Sequence, residues 1–281
     1  MFGDHGQKLE IRVLGHLVAS SAGRHMRVDL APKPRTVLAL LCGNPGAMIA
    51  NGALEREVWG EAPPRSAARN LHTYVMQVRR MLEGFCRLPR QVVADEVLLT
   101  LPGGYAIDDT LVVSDHTAFI ELAVKGRSLL RDGELAAGMD KLLRALEIWR
   151  GPAFSDVATG PALEAQRRRL NEARLGVIET LSEARVSAGQ YHEAIADLAL
   201  CVPDNPFHEG LHFQYMRALA LCGERARALK VFNALRIRLV ADLGIEPGPT
   251  VQNLQRRILN SADLDQDPSR LTAGVPASHR R

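Results

Sequence analysis

The sequence predicts a mixed, mainly α fold in two parts: a module of short strands, three helices and a hairpin, then an all-α domain of stacked helix pairs. Three patterns predict it. Apolar and polar residues alternate in short runs over 9–30 and again over 91–107, the period of a half-buried strand. Between those runs, and from about Ser114 onward, apolar residues return at helical spacing. In the second part, the stretches opening at Gly189 and Gly223 share the pattern G-x-x-x-x-A and start 34 residues apart, the period of tetratricopeptide repeats.

Residues 9–30 read as two strands: Leu9, Ile11 and Val13 alternate with polar neighbours, and Val28 and Leu30 do the same after a Ser-Ala-Gly turn at 21–23. Pro32 and Pro34 mark a helix start, where a fixed φ is favourable and no amide donor is needed, and residues 37–41 form its buried face. Asn51 is the expected N-cap of a second helix through Trp59, which Gly60 ends. Pro63 and Pro64 stiffen the turn before a third helix over 65–82. A β-rich stretch over 91–107 follows, with Gly103 and Gly104 as its turn. Two helices joined by a short turn and followed by a hairpin make a winged helix-turn-helix. In that arrangement the last helix enters the DNA major groove, and the hairpin lies over the adjacent backbone or minor groove.

The second part reads as helices over 114–130, capped by Ser114, and 133–149, a break at Gly151 and Pro152, and a long helix over 161–188. Further helices follow Gly189, Phe207 and Gly223, with a last one near 251–259. The stretch from Gly133 to Gly138 resembles the two repeats with glycine in place of alanine. A small residue there lets two helices approach closely, and each pair must stack on its neighbours to bury its apolar face. The repeats are compatible with a plain packed domain and with a partner-binding groove. The expected organisation is a winged helix-turn-helix DNA-binding domain at 1–113, a tetratricopeptide-like helical domain at 114–260, and a polar, disordered tail at 261–281.

The third helix carries the functional signal. At 100° per residue, Leu71, Val75, Val78 and Leu82 share one face, while Ser66, Arg69, Thr73, Met76, Gln77 and Arg80 share the opposite one. That outward face offers guanidinium, amide and hydroxyl groups, which read base edges and phosphates. Between Arg65 and Arg90 there are six arginines and a single acid, Glu83, a local excess that attracts phosphate although the chain's net charge is only +3. The alternative is the solvated face of an ordinary surface helix; the charge excess and the wing together favour DNA. Candidate DNA-binding residues are Arg65, Ser66, Arg69, Asn70, Thr73, Gln77, Arg79 and Arg80, with Gly103 and Gly104 in the wing. Arg69 and Gln77 suit base edges, Arg65 and Arg80 suit phosphates, and Ser66 with the first-turn amides suits a phosphate at a helix N-terminus. For Arg79, beside the apolar face, internal pairing competes with a DNA contact. His72 is read as facing solvent.

Other classes are less favoured. The 281 residues, 46% hydrophobic, suffice for two cores, but no run approaches the ~20 apolar residues of a membrane span, and the N-terminus has no signal-peptide core. Cys42, Cys86, Cys201 and Cys222 form no C-x-x-C pair and read as reduced thiols. A cytoplasmic, nucleoid-associated protein is expected, with no catalytic residue, metal or cofactor: there is no nucleotide-binding glycine motif, catalytic triad or paired-carboxylate pattern. His208 to His212 does match H-E-x-x-H, the zinc-protease helix, but the third ligand such a site needs is missing at the expected spacing. A zinc hydrolase using His208 and His212 is thus a remote alternative, and a tetratricopeptide-type adaptor without specific DNA binding a nearer one. Trp59 and Trp149 read as core residues at helix ends.

The stretches IRVLG at 11–15, VWG at 58–60, PP at 63–64, LHTYV at 71–75, VRRML at 78–82 and GY at 104–105 resemble the Streptomyces antibiotic regulatory protein family. In the second half LEIWRGP at 146–152, EARL at 172–175 and DLGIEPGP at 242–249 extend the resemblance over roughly residues 9–260. It implies a response-regulator-type winged helix followed by a bacterial transcriptional activation domain. It further implies binding to direct repeats in double-stranded DNA near a promoter, as a homodimer on DNA, recruitment of RNA polymerase holoenzyme, and activation of a secondary-metabolite (antibiotic) gene cluster. Without a G-x-x-x-x-G-K-[ST] sequence, the chain resembles the short members. One position departs: wings of the family carry a basic residue where this chain has Leu101, which weakens the expected minor-groove contact.

Overall fold

The first strand follows its alternation: in β1 (Leu9–Arg12), Leu9 and Ile11 are buried while Glu10 and Arg12 are half-buried. The computed structural model describes residues 9–21 and 24–260; the turn expected at Ala22 and Gly23 and the disordered tail expected at 261–281 lie outside the described residues. The chain separates into two compact units, Met1–Val177 and Ile178–Arg281.

In the first unit, β1, β2 (Val18–Ser21), β3 (Arg24–Arg27) and the late β7 (Val112–Ser114) form a sheet in the order β3-β2-β1-β7. β1 is antiparallel to β2 and parallel to β7. There are therefore three strands where the alternation predicted two, and Val28 and Leu30 lie past the end of the third. β3 shows no alternation because it is an edge strand whose His25, Met26 and Arg27 are exposed, so no buried face marks it in the sequence.

Helix α1 (Pro32–Cys42) opens on its proline and buries the run from Val37 to Cys42. Helix α2 (Asn51–Trp59) ends at Gly60, whose φ of 68° provides the stop. Asn51 is its first helical residue rather than its cap: Ala50 holds the cap position within β4 (Ile49–Ala50), and the Asn51 N–H donates to the Gly103 carbonyl at 2.9 Å. The wing thus satisfies the first backbone donor of α2. Helix α3 (Ala67–Cys86) starts later and runs further than 65–82, because Ala67 N–H closes a turn on the Pro64 carbonyl at 2.8 Å and Phe85 extends the buried face.

The expected β-rich stretch is half helix. A short turn of helix, α4 (Arg90–Val92), leads into a π-turn over Val93–Val97, and only then come β5 (Leu98–Leu101) and β6 (Gly104–Ile107). Val93 and Val97 bury together, four residues apart, while Gln91 donates to Asp95 at 2.6 Å on the outside. The period there is four, and β-branched valines disguised it as a strand. β4, β6 and β5 make a second, antiparallel sheet.

Helices α5 (Asp115–Arg131) and α6 (Leu135–Glu147) form an antiparallel pair, and α7 (Pro161–Ser187) begins in the same unit. Ser114 stands at the N-cap position of α5 without a side-chain cap bond; its Oγ is 2.6 Å from His116 Nδ1 instead. Buried polar bonds tie these helices to the winged module. Asp115 accepts from the backbone of Val13 at 2.7 Å and of Leu14, and Arg150 donates to the same carboxylate at 3.3 Å. Thr36 donates to the Ala158 carbonyl at 2.8 Å, and Gln166 bonds the Gly43 carbonyl.

The second unit holds the rest of α7, then α8 (Tyr191–Cys201), α9 (Glu209–Leu221), α10 (Arg225–Arg238) with a π-turn over Leu239–Leu243, and α11 (Pro249–Leu259). The repeat alanines Ala194 and Ala228 are fully buried, so the G-x-x-x-x-A signature marks helix-packing positions.

Candidate nucleic-acid interface

The seat of α3 is apolar as the spacing predicted: Ala67, Leu71, Val75, Val78, Leu82 and Phe85 are buried. Arg65 and the N-cap residue Ser66, just before the helix, and Arg69 and Thr73 in its N-terminal half face solvent, with Asn70 half-buried. Asn70 donates its amide to Ser66 Oγ at 3.1 Å, and Thr73 Oγ1 donates to the Arg69 carbonyl at 3.1 Å. The guanidinium groups of Arg65, Arg69 and Arg80 make no ion pair or hydrogen bond among the described residues. A cation with no internal partner is free to meet an external anion.

The C-terminal half differs. Gln77 and Arg80, though exposed, line a groove against Met26, Asp29 and Leu30, and a second hollow with Thr73, Glu83 and Arg90. Arg90, which the sequence counted only toward local charge, thereby joins the same face. Trp59 is half-buried and stacks on Tyr74 of α3 at 5.8 Å between ring centroids, with Lys33 Nζ 5.2 Å from its centroid.

Arg79 turns inward and is 6% exposed. Its Nε and one terminal nitrogen donate to the Leu98 carbonyl, at 3.1 and 2.6 Å, and that terminal nitrogen also donates to Thr100 Oγ1 at 2.9 Å. Burial pulls its guanidinium below the usual range, with Tyr105 and Asp95 opposing that shift. Among the candidates, then, Arg79 takes the internal pairing and braces the wing strand. Gly103 is exposed at the wing tip with φ 86°, a conformation favouring glycine. Gly104 is buried in β6, where a Cβ would collide with the Ile49 carbonyl, so the turn is Pro102 and Gly103 and Gly104 is there for close packing. Leu101 is half-buried at the end of β5.

The H-E-x-x-H segment performs structural work. His208 Nδ1 accepts from Leu211 N–H at 3.2 Å as the N-cap of α9, and His212 Nδ1 faces the His208 carbonyl at 3.1 Å. His212 is buried, which lowers its pKa. Among the described residues no group of three His, Cys, Asp or Glu side chains could hold a metal ion, and no described helix is long and apolar enough to cross a membrane.

Comparison with known proteins bears on both units. Residues 25–100 match the family described as transcriptional regulatory protein, C terminal, and residues 114–259 match the bacterial transcriptional activator domain. The regulatory protein DnrI of Streptomyces peucetius is 37% identical over 253 residues, 90% of this chain and 93% of that one. The regulatory protein AfsR of Streptomyces coelicolor is 32% identical over 94% of this chain, which spans only 26% of its length. A solved structure of Mycobacterium tuberculosis EmbR, in complex with a low-affinity phosphopeptide, superposes with a TM-score of 0.81 at 29% identity, covering 92% of this chain and 66% of that chain. A winged helix with an outward cationic helix face, joined to an activator domain that spans more than half the chain, places this protein in the Streptomyces antibiotic regulatory protein family, as a DNA-binding transcriptional activator.

Proposed function

We propose that the chain activates a secondary-metabolite gene cluster by binding direct repeats near a promoter, with the N-terminal half of α3 in the major groove. The observation that carries this reading is the row of exposed Arg65, Ser66, Arg69 and Thr73, whose two guanidinium groups have no partner among the described residues. Arg69 reads a base edge, Arg65 and Arg80 hold phosphates, Gln77 and Asn70 add polar contacts, and Gly103 brings the wing tip close to the backbone. Arg79 and Gly104 act through the wing's shape. The helical domain, with its boundary near residue 114, supplies contacts to a second copy on DNA and to RNA polymerase holoenzyme. The protein works at the nucleoid and performs no catalysis of its own.

Selection from random duplex DNA with the full chain tests this. Enrichment of a repeated half-site, unaffected by a zinc chelator, is expected. Binding without enrichment would leave only an electrostatic patch, and no binding would favour the adaptor reading.

A further inference from the structure

The second unit contains a cavity of 770 Å³, within the ~300–1,000 Å³ range of small-molecule sites, that the DNA-binding role does not use. Glu179 and Glu183 of α7 and Glu209 of α9 line it, against one cation, Arg257. Glu179 and Glu183 stand one helical turn apart, where like charges disfavour each other, and neither has a hydrogen-bond or ion-pair partner among the described residues. One oxygen of Glu209 accepts from Gly248 N–H at 2.6 Å.

A second observation is independent of the acids. Gln214 lines the same cavity, is 5% exposed, and its Oε1 is buried with no hydrogen-bond partner. A buried acceptor without a donor is costly, and native structures rarely leave one unless something external satisfies it. The Glu179 carboxylate lies directly against Gly210, in the space a Cβ there would take. Phe213, Val251 and Leu254 supply an apolar wall.

We propose that this cavity binds an organic ammonium ion with an apolar body. An ammonium offers three donors and no acceptor, the complement of three carboxylates and an orphaned amide oxygen. Its charge relieves the repulsion between Glu179 and Glu183, rotation of the Gln214 amide about its last bond turns the sealed Oε1 toward one N–H, and the apolar body packs on Phe213, Val251 and Leu254. A bare divalent cation fits worse, because the acids are not gathered into a metal-binding group and the apolar wall would be idle.

Calorimetric titration of the full-length protein with 4-phenylbutylammonium, 4-phenylbutanol and 4-phenylbutyrate tests this. The ammonium binds at least about tenfold more tightly than the alcohol, and the carboxylate does not bind. Replacing both acids (E179Q with E183Q) weakens the ammonium by about tenfold or more, whereas Glu246→Gln, which removes a surface partner of Arg236, leaves it unchanged. Gln214→Leu weakens the ammonium and spares the alcohol, and circular dichroism verifies that each variant is folded. The proposal is overturned if the ammonium gives no heat at millimolar concentration, if the alcohol binds equally, or if the double variant binds as the wild type does. Binding of an arginine-bearing peptide in place of the ammonium would also overturn it, making the cavity a peptide anchor.

Discussion

Glu57 on α2 accepts a hydrogen bond from the backbone N–H of Leu163 at 3.1 Å, in the first turn of α7. The same carboxylate accepts from Gly160 at 2.7 Å and Ala162 at 2.8 Å. An α-helix opens with donors that have no internal partner, and an anion there also meets the positive end of its dipole. A residue of the helix-turn-helix therefore caps the long helix of the activator domain. Gly160 permits it, because a Cβ there would collide with the Glu57 backbone. Glu57→Ala should cost about 2–4 kcal/mol in urea denaturation, because three backbone donors, that of Leu163 buried, lose a charged acceptor at once. Glu57→Gln, which keeps one carbonyl oxygen, should cost clearly less. Equal costs would mean that burial of the side chain, not capping, is what matters.

Arg69 and Arg79 lie on one helix and should fail in opposite ways. Arg69→Ala should lower affinity for the selected site by ~1–3 kcal/mol, if it makes a bidentate base contact, and leave stability unchanged. Arg79→Ala should destabilise the fold by about 1.5–3 kcal/mol, since the Leu98 carbonyl loses a charged donor, and lower DNA affinity only as far as the wing loosens. Paired urea and fluorescence-anisotropy titrations separate the two.

A salt titration distinguishes base readers from phosphate holders. Arg65→Ala should weaken binding to all sequences alike and reduce the slope of log K against log salt by about 1. An unchanged slope would place Arg65 off the backbone.

How much of this was legible in the sequence depends on what each element packs against. The seat of α3, the proline start of α1 and the buried repeat alanines follow from single-helix periodicity, which the sequence states directly. β3 is an exposed edge, the Val93–Val97 turn has valines at a four-residue period, and the donor of Asn51 is met by the distant Gly103. The first lacks a buried face to read, the second hides a helical period behind β-branched residues, and the third depends on a partner remote in sequence. For the interface, the exposed face is readable from the spacing, whereas the inward turn of Arg79 depends on the Leu98 carbonyl, 19 residues away. The role of Glu57 left no local signal: nothing in a surface-helix pattern says that one acid will meet another helix's first turn.

His116 makes stability fall with acid. Burial, with Arg169 adding to it, lowers its pKa from 6.5 to about 4. In the folded state it stays neutral down to that pH, whereas the unfolded chain binds a proton below 6.5. Stability from this residue is thus complete above pH 6.5 and is lost as pH falls toward 4, by on the order of 3 kcal/mol. Urea midpoints of the wild type should drop from pH 7 to 4.5 more steeply than those of His116→Gln. Parallel profiles would show that other groups set the acid limit.

Gly138 stands where the later repeats carry Ala194 and Ala228, yet alanine should not be accepted there. A Cβ at Gly138 would lie 2.7 Å from the Leu130 side chain and 3.0 Å from the Gly126 carbonyl; one at Gly126 would meet the Gly138 carbonyl at 3.1 Å. The side chain can move; the carbonyl can move only with α5 itself. Helix propensity favours alanine by ~1 kcal/mol, and overpacking opposes it by ~1–3 kcal/mol. With backbone on both sides of the contact, the second effect should win, and Gly138→Ala should lose about 1–2 kcal/mol by urea denaturation. If the variant were instead stabilised, α5 and α6 would have to separate at little cost, and the pair would owe its geometry to the surrounding apolar side chains rather than to its two glycines.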